Sequence, residues 1–88
     1  MKELKELIEI LTKIISTEDK VEIDQLKLEI PRIIKDMDFV STDEEMNYKM
    51  KLDLVNDIRQ YSNNPNFFRS QLVIRIVFLK QLLKNLSI

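Results

Sequence analysis

Residues 67–88, FFRSQLVIRIVFLKQLLKNLSI, are apolar on almost every side when they are wound into a helix. One stripe at helical spacing comprises Phe68, Leu72, Ile76, Leu79, Leu83 and Leu86. Further apolar residues lie on other sides of the same helix: Phe67, Ile74 and Phe78, and Val73 and Val77. Because a surface helix needs one apolar stripe of somewhat over about 100°, this segment predicts either a central helix or a helix that offers a second face to another chain.

Residues 43–61 also have more apolar residues than one helix face needs. Their predicted core stripe consists of Met46, Met50, Leu54, Ile58 and Tyr61. A second strip, on the far side of the same helix, consists of Tyr48, Leu52, Val55 and Arg59. Two central helices are hard to build from four short ones. At least one second face is therefore expected to be exposed in a monomer or covered by another chain.

The first half of the chain predicts two further helices, over residues 2–16 and 18–38. Apolar residues recur at three- and four-residue spacing in both, and Ser16 or Thr17 is expected to cap the second. Pro31 interrupts that second stripe without changing its phase, so we expect a kink or a short break with a new start at Pro31. The alternation of Leu26, Leu28 and Ile30 leaves an extended segment over residues 21–30 as the lesser alternative.

Two boundaries in the second half have clear signals. Thr42 and Glu45 fit a capping box at the start of the third helix, and Asn64 followed by Pro65 predicts the start of a fourth helix over residues 65–86. Asn63 is the residue most suited to a left-handed conformation between them. The expected fold is a single all-α domain, a four-helix bundle or three helices plus a kinked one.

The composition argues against an enzyme. The 88 residues include no Gly, Cys or His, which removes the phosphate-binding glycine loop, the thiolate, and the commonest general base and metal ligand. The acidic cluster at residues 36–45 does not fit a calcium loop either, because Val40, Ser41 and Asn47 stand at its fifth, sixth and twelfth positions. We expect no catalytic residue, no cofactor and no metal site.

Charge is unevenly distributed. The net charge is −1 and the pI is near 5.4, yet all five charged residues after Ile58 are basic. These cations either pack among acidic helices or form a surface for an anionic partner. Arg69, Lys80 and Lys84 fall on one side of the fourth helix, but Val73 and Val77 lie among them where base-reading side chains would be needed. Nucleic acid is therefore the less favoured partner.

No membrane-crossing segment or secretion signal is expected. The most apolar run, Leu72 to Leu79, is interrupted by Arg75 and is far shorter than the roughly 20 residues of a span. The N-terminal apolar segment is broken by charges and is not followed by a small-residue cleavage site. Contact with a membrane surface is also disfavoured, because the polar side of the fourth helix is thin. A cytoplasmic location is expected.

The favoured function is stoichiometric protein binding by a small regulator, inhibitor or assembly subunit. The expected partner-binding residues are those of the two second faces: Tyr48, Leu52, Val55, Arg59, Val73 and Val77. The partner is either another protein or a second copy in a homodimer. The alternative is a nucleic-acid-binding regulator that uses the basic side of the last helix. Helix number and length are similar to those of bacteriocin immunity proteins and helical antitoxins, although no motif carries that similarity.

Overall fold

The computed structural model describes residues 2–35, 37–39 and 43–86, without the side chains of residues 65, 67, 68 and 86. Four helices account for most of them: α1 (Lys2–Ser16), α2 (Lys20–Ile34), α3 (Glu44–Asn63) and α4 (Pro65–Leu86). No strand occurs in these described ranges. The predicted all-α four-helix bundle is therefore confirmed.

The helices form a closed ring in which each packs against two others. Contacts join α1 to α2, α2 to α3, α3 to α4, and α4 back to α1. The ring leaves no helix at its centre: among the described helices α4 packs against α1 and α3, and Phe39 also lies beside Phe78 and Leu79 of α4. The alternative of a central fourth helix wrapped by the others is therefore wrong, and the side of α4 that faces away from the ring is open.

The core is formed by the inward stripes of all four helices and by two residues that follow α2. The most deeply buried side chains are Leu4, Leu7, Leu11, Ile14, Ile30 and Leu72. The Cα radius of gyration is 12.6 Å, close to the roughly 12 Å expected for a chain of this length. Apolar residues outside the core are thus exposed on a normally compact fold. Phe68 and Leu86 of the predicted α4 stripe lie outside the described side chains.

Helix α2 is shorter than predicted and is not broken. Asp19 caps it, accepting a hydrogen bond from the Val21 N–H at 2.9 Å, so neither Ser16 nor Thr17 serves as the cap. The helix continues through Pro31 to Ile34, which excludes both the new start at Pro31 and the extended alternative. The predicted stripe continues to Met37 because Met37 and Phe39 remain buried after the helix has ended.

Helix α3 begins one residue after its cap, Asp43. The Asp43 carboxylate accepts a hydrogen bond from the Met46 N–H at 3.1 Å, which satisfies a donor that has no partner within the first helical turn. The observed cap is Asp43, and Glu44 and Glu45 lie in the first turn. The predicted capping residue, Thr42, lies outside the described residues.

We expect Asp43→Ala to lower the free energy of unfolding by about 0.5–2 kcal/mol, because it leaves the Met46 N–H without its side-chain acceptor. Urea denaturation followed by circular dichroism measures this change. Asp43→Asn is the matched control, since an amide oxygen keeps the acceptor and should retain most of the stability. Equal losses for both variants would show that the carboxylate charge, and not the hydrogen bond, matters at this helix start.

The junction between α3 and α4 is a single residue, Asn64. Its N–H donates to the Gln60 carbonyl at 2.9 Å, and its φ of −147° is negative. No described residue has a positive φ. The predicted left-handed Asn63 is therefore wrong: α3 runs two residues beyond the expected end at Tyr61 and takes Asn63 into the helix.

The predicted α3 core stripe is correct except at its first position. Leu54, Ile58 and Tyr61 are buried and Met50 packs against the core, whereas Met46 is 46% exposed. Asn47 is buried instead. Phe39, from the connection after α2, lies beside Met50 and Leu54. A residue from outside the helices thus fills core space at this end of α3.

Tyr61 connects two helices that are diagonally opposite in the ring. Its buried hydroxyl donates to the Ile14 carbonyl of α1 at 3.3 Å. That carbonyl is in the last turn of α1, where carbonyl groups lack a donor from within the helix. The hydrogen bond therefore both caps α1 and fixes the position of α3 across the core.

We expect Tyr61→Phe to lower the free energy of unfolding by about 0.5–1.5 kcal/mol, because the ring stays packed while the hydrogen bond is lost. Chemical denaturation measures the change. Tyr48→Phe is the control. Because Tyr48 is 65% exposed, loss of its hydroxyl should leave the free energy of unfolding unchanged. Identical midpoints for Tyr61→Phe and the wild type would contradict a stabilising role for this contact.

Candidate protein-binding surfaces

Ten large apolar side chains of the described part of the chain are exposed. They are Val21, Leu28, Met46, Tyr48, Leu52, Val55, Val73, Ile74, Val77 and Phe78. Single exposed apolar residues are normal on soluble proteins, whereas contiguous groups commonly mark contact sites. Most of these ten fall into two groups, one on α4 and one beside the contact between α2 and α3.

The first group, which we call the α4 face, consists of Val73, Ile74, Val77 and Phe78. These positions are i, i+1, i+4 and i+5, which are neighbours on a helix surface. Their side chains are between 39% and 62% exposed. Leu72 of the same helix is fully buried, whereas Ile74 and Val77 point away from it and are more than 60% exposed, and Phe78 also borders a small cleft beside Phe39. The α4 face is therefore a continuous apolar patch on the outside of the ring.

The α4 face has a cationic edge. Arg69, Lys80 and Lys84 are exposed and lie on the same side of α4 as Val73 and Val77. None of the three forms an ion pair with a described residue. Arg75, in contrast, points toward α3 and its Nε donates to Asp57 Oδ2 at 2.8 Å. The positive charge of α4 is therefore only partly neutralised inside the fold.

The second group borders an apolar cleft between α2 and α3, which we call the α2–α3 cleft. Its volume is about 230 Å³, and its lining residues are Lys27, Leu28, Ile30, Pro31, Val55, Ile58 and Arg59. Ile30 and Ile58 belong to the buried core, while Leu28 is 74% exposed. The cleft is thus an opening between two helices of the bundle. Core residues lie at its base, and the long cationic side chains of Lys27 and Arg59 lie at its margin.

Local hydrogen bonds hold the margin of the cleft. The Arg59 Nη2 donates to Asn56 Oδ1 at 2.8 Å, and Lys27 pairs with Asp24 at 3.1 Å. Further along the same helix pair, the Lys51 Nζ donates to the Lys35 carbonyl at 2.9 Å. From Val55, the exposed Leu52 and Tyr48 continue the apolar strip along α3.

The six partner-binding residues predicted from the sequence are all exposed, but the fold divides them between two surfaces. Val55 and Arg59 line the α2–α3 cleft, and Tyr48 and Leu52 extend from it. Val73 and Val77 lie elsewhere, on the side of α4 turned away from Arg75 and hence from α3. The structure therefore provides two separate candidate surfaces.

Further residues of these surfaces were not among the six predicted from the sequence. Ile74 and Phe78 complete the α4 face, and Lys27, Leu28 and Pro31 line the α2 side of the cleft. The sequence did indicate that Leu28 is exposed, because it is out of phase with the buried Ile23 and Ile30 of the same helix. In the sequence analysis its alternation with Leu26 and Ile30 was interpreted only as a sign of an extended segment.

In the described ranges no three acidic side chains come close enough to hold a metal ion, and Asp36 of the acidic cluster lies outside the described residues. None of the helices there has the length and apolar content needed to cross a lipid bilayer.

Comparison of the chain with protein-family models, curated proteins and solved structures finds no match. The exposed apolar surfaces are therefore the features of this protein that bear on its function.

Proposed function

We propose that this protein acts by stoichiometric binding of another protein, as a small regulator, inhibitor or assembly subunit that works by covering a surface. The observation that carries the proposal is the α4 face: four adjacent large apolar side chains are between 39% and 62% exposed and are not part of the buried core. Covering apolar surface contributes about 25 cal/mol per Å². A patch of this kind is therefore a source of binding free energy that the monomer leaves unused.

The second surface supports the same function. Tyr48, Leu52, Val55 and Arg59 combine aliphatic side chains with Tyr and Arg, which are enriched at the centres of protein interfaces. Because the two surfaces are on different sides of the bundle, a partner can cover one while the other stays free. The proposal therefore needs only one of them to be the interface.

A second copy of the chain is the simplest alternative partner, since one patch can pair with itself across a two-fold axis. Pairing through the α4 face would bring two cationic edges near one another, and α4 itself has no acidic residue to balance them. Like charges near an interface disfavour the wrong partner. A different protein with acidic residues beside its apolar contact surface suits the α4 face better.

The nucleic-acid alternative rests on the same cationic edge. Arg69, Lys80 and Lys84 could contact phosphates, but Val73 and Val77 lie beside them where polar side chains would be needed to read bases. The apolar patch would also gain nothing from a phosphate backbone. Protein binding accounts for both the cations and the apolar residues, so we favour it.

The proposal is tested by capture of binding proteins from the native host with the immobilised wild type and two variants, Val77→Glu and Leu52→Glu. Each places a charge in one candidate surface. Gln25→Glu, at an exposed polar position of α2, is the matched control. The captured protein is then purified, and its affinity for each variant is measured by calorimetry.

We expect equimolar binding, with at least one of the two surface variants weakened by about 30-fold or more, the size of an interface hot spot of about 2 kcal/mol. The control should bind like the wild type. A partner that binds both folded variants normally would contradict the proposal. Salt-sensitive binding of duplex DNA that is lost in Lys80→Glu would support the nucleic-acid alternative instead.

A further inference from the structure

The exposed cations of α4 lie at the two ends of its apolar patch. Arg69 is one turn before Val73, and Lys80 and Lys84 are about one and two turns after Val77. All three cations are exposed, and none forms an ion pair with a described residue. Together with the α4 face they make a strip about 22 Å long, at 1.5 Å per helical residue. Its centre is apolar and its ends are positive.

The positive charge is less compensated at the C-terminal end of this strip. Arg69 borders a polar cavity that Glu18 also lines, so an acidic side chain lies in its neighbourhood although the two form no ion pair. Lys80 and Lys84 are one turn apart on the same side of α4, a helix that contains no acidic residue. An anionic group is therefore attracted chiefly to the part of α4 beside these two lysines.

The charge of the rest of the chain restricts where an acidic partner can bind. Outside α4 the sequence has fifteen acidic and ten basic residues, a net charge of −5, whereas α4 has four basic residues and no acidic one. An acidic molecule is thus repelled by most of the bundle and attracted by α4. Because like-charge contacts disfavour wrong orientations, this distribution directs an acidic partner to the α4 face.

The backbone of that partner is expected to be helical where it covers the patch. No strand occurs among the described residues, so they offer no sheet edge to which an extended peptide could add. An extended segment on the apolar centre would leave its backbone N–H and C=O groups without partners where water is excluded. A helix satisfies those groups internally and packs along α4 through rows of side chains.

From these features we propose that the α4 face binds one amphipathic helix of a partner protein. The apolar stripe of that helix covers the four apolar residues of the α4 face, and carboxylates at one end of the stripe lie against Lys80 and Lys84. The assignment rests on the proposed function in taking the ligand to be a protein. It adds the surface that is used, the secondary structure of the bound segment and the sign of its charge.

The probes are three stapled helical peptides of about 18 residues, long enough to span the strip. Each has the same stripe of leucines, and they differ only in two side chains beside one end of it, which are glutamate, glutamine or lysine. Fluorescence anisotropy measures their binding to the whole chain. At about 50 mM salt we expect a dissociation constant of about 10–300 µM for the glutamate peptide. The glutamine peptide should bind about 3- to 10-fold more weakly, and the lysine peptide more weakly still.

Salt and substitutions separate the charged contacts from the apolar ones. At about 500 mM salt the affinity of the glutamate peptide should fall to near that of the glutamine peptide. The double variant Lys80→Gln, Lys84→Gln should remove the advantage of glutamate and leave the glutamine peptide unchanged. Val77→Ser should weaken both peptides by about 3- to 10-fold, because it removes apolar contact area. The matched control is Lys20→Gln, Lys49→Gln, at exposed positions of α2 and α3, which should bind like the wild type.

Equal affinities of the glutamate and glutamine peptides at low salt would overturn the assignment. Peptide-induced amide shifts in α2 and α3, in place of residues 69–84, would do the same. A wild-type dimer that Val77→Ser dissociates would assign the α4 face to a second copy of the chain. Co-sedimentation with phosphatidylserine vesicles, together with equal binding of the three peptides, would assign it to an anionic lipid surface.

Failure of this assignment differs from failure of the proposed function. If the captured host protein loses affinity for Leu52→Glu but not for Val77→Glu, the proposed function stands and the assignment to α4 fails. If the peptides bind α4 in the expected order while no host protein binds stoichiometrically, the helix-binding site stands and the proposed function fails.

Discussion

Leu72→Ala is expected to lower the free energy of unfolding by about 2–5 kcal/mol, whereas Val77→Ala on the same helix should change it by less than about 0.5 kcal/mol. Leu72 has no exposed surface and contributes to the core, while Val77 is 62% exposed. Truncating Leu72 removes buried apolar contacts and leaves a cavity. Truncating Val77 removes only atoms that already contact water.

Urea denaturation of both variants beside the wild type measures the difference. A chain of this length has a total stability of only about 4–13 kcal/mol, so Leu72→Ala should move the midpoint by a large fraction of its value. This comparison also tests the orientation of α4. Equal losses at the two positions would show that Val77 is covered in solution, and a larger loss at Val77 would contradict the orientation described here.

Pro31→Ala is expected to raise the free energy of unfolding by about 1–3 kcal/mol. A proline inside a helix costs about 3 kcal/mol relative to alanine, and here the helix continues through it to Ile34. Alanine restores the N–H that the Lys27 carbonyl lacks. The gain is reduced because proline also restricts the unfolded chain, an effect of about 0.4–1 kcal/mol.

Gln25→Ala in the same helix is the control for Pro31→Ala. Gln25 is exposed, so its replacement should change stability by less than about 0.5 kcal/mol through helix propensity alone. Thermal and urea denaturation should give the same order of stability. A less stable Pro31→Ala variant would mean that contacts of the proline ring along the cleft outweigh the missing hydrogen bond.

The sequence by itself determined the helical class and the bounds of α1 and α4. In α1, apolar residues follow a single 3.6-residue period and charged residues occupy the other side, so local pattern and burial agree. Pro65 after Asn64 marks the start of α4 because proline is suited to the first helical position. The surplus of apolar residues on α3 and α4 was also evident from periodicity, since helical spacing alone determines which side chains share a face.

The tertiary structure decided which neighbours each face has. Periodicity places Val55 and Val73 on second faces, but only the packing of α3 against α2 and α4 shows that Val55 borders α2 whereas Val73 does not line that cleft. It also brings Leu28 and Pro31 opposite Val55 and Arg59 to form the cleft. A cleft between two helices depends on their relative register and rotation. Those are set by how all the core side chains pack together, and no pattern within one helix contains that information.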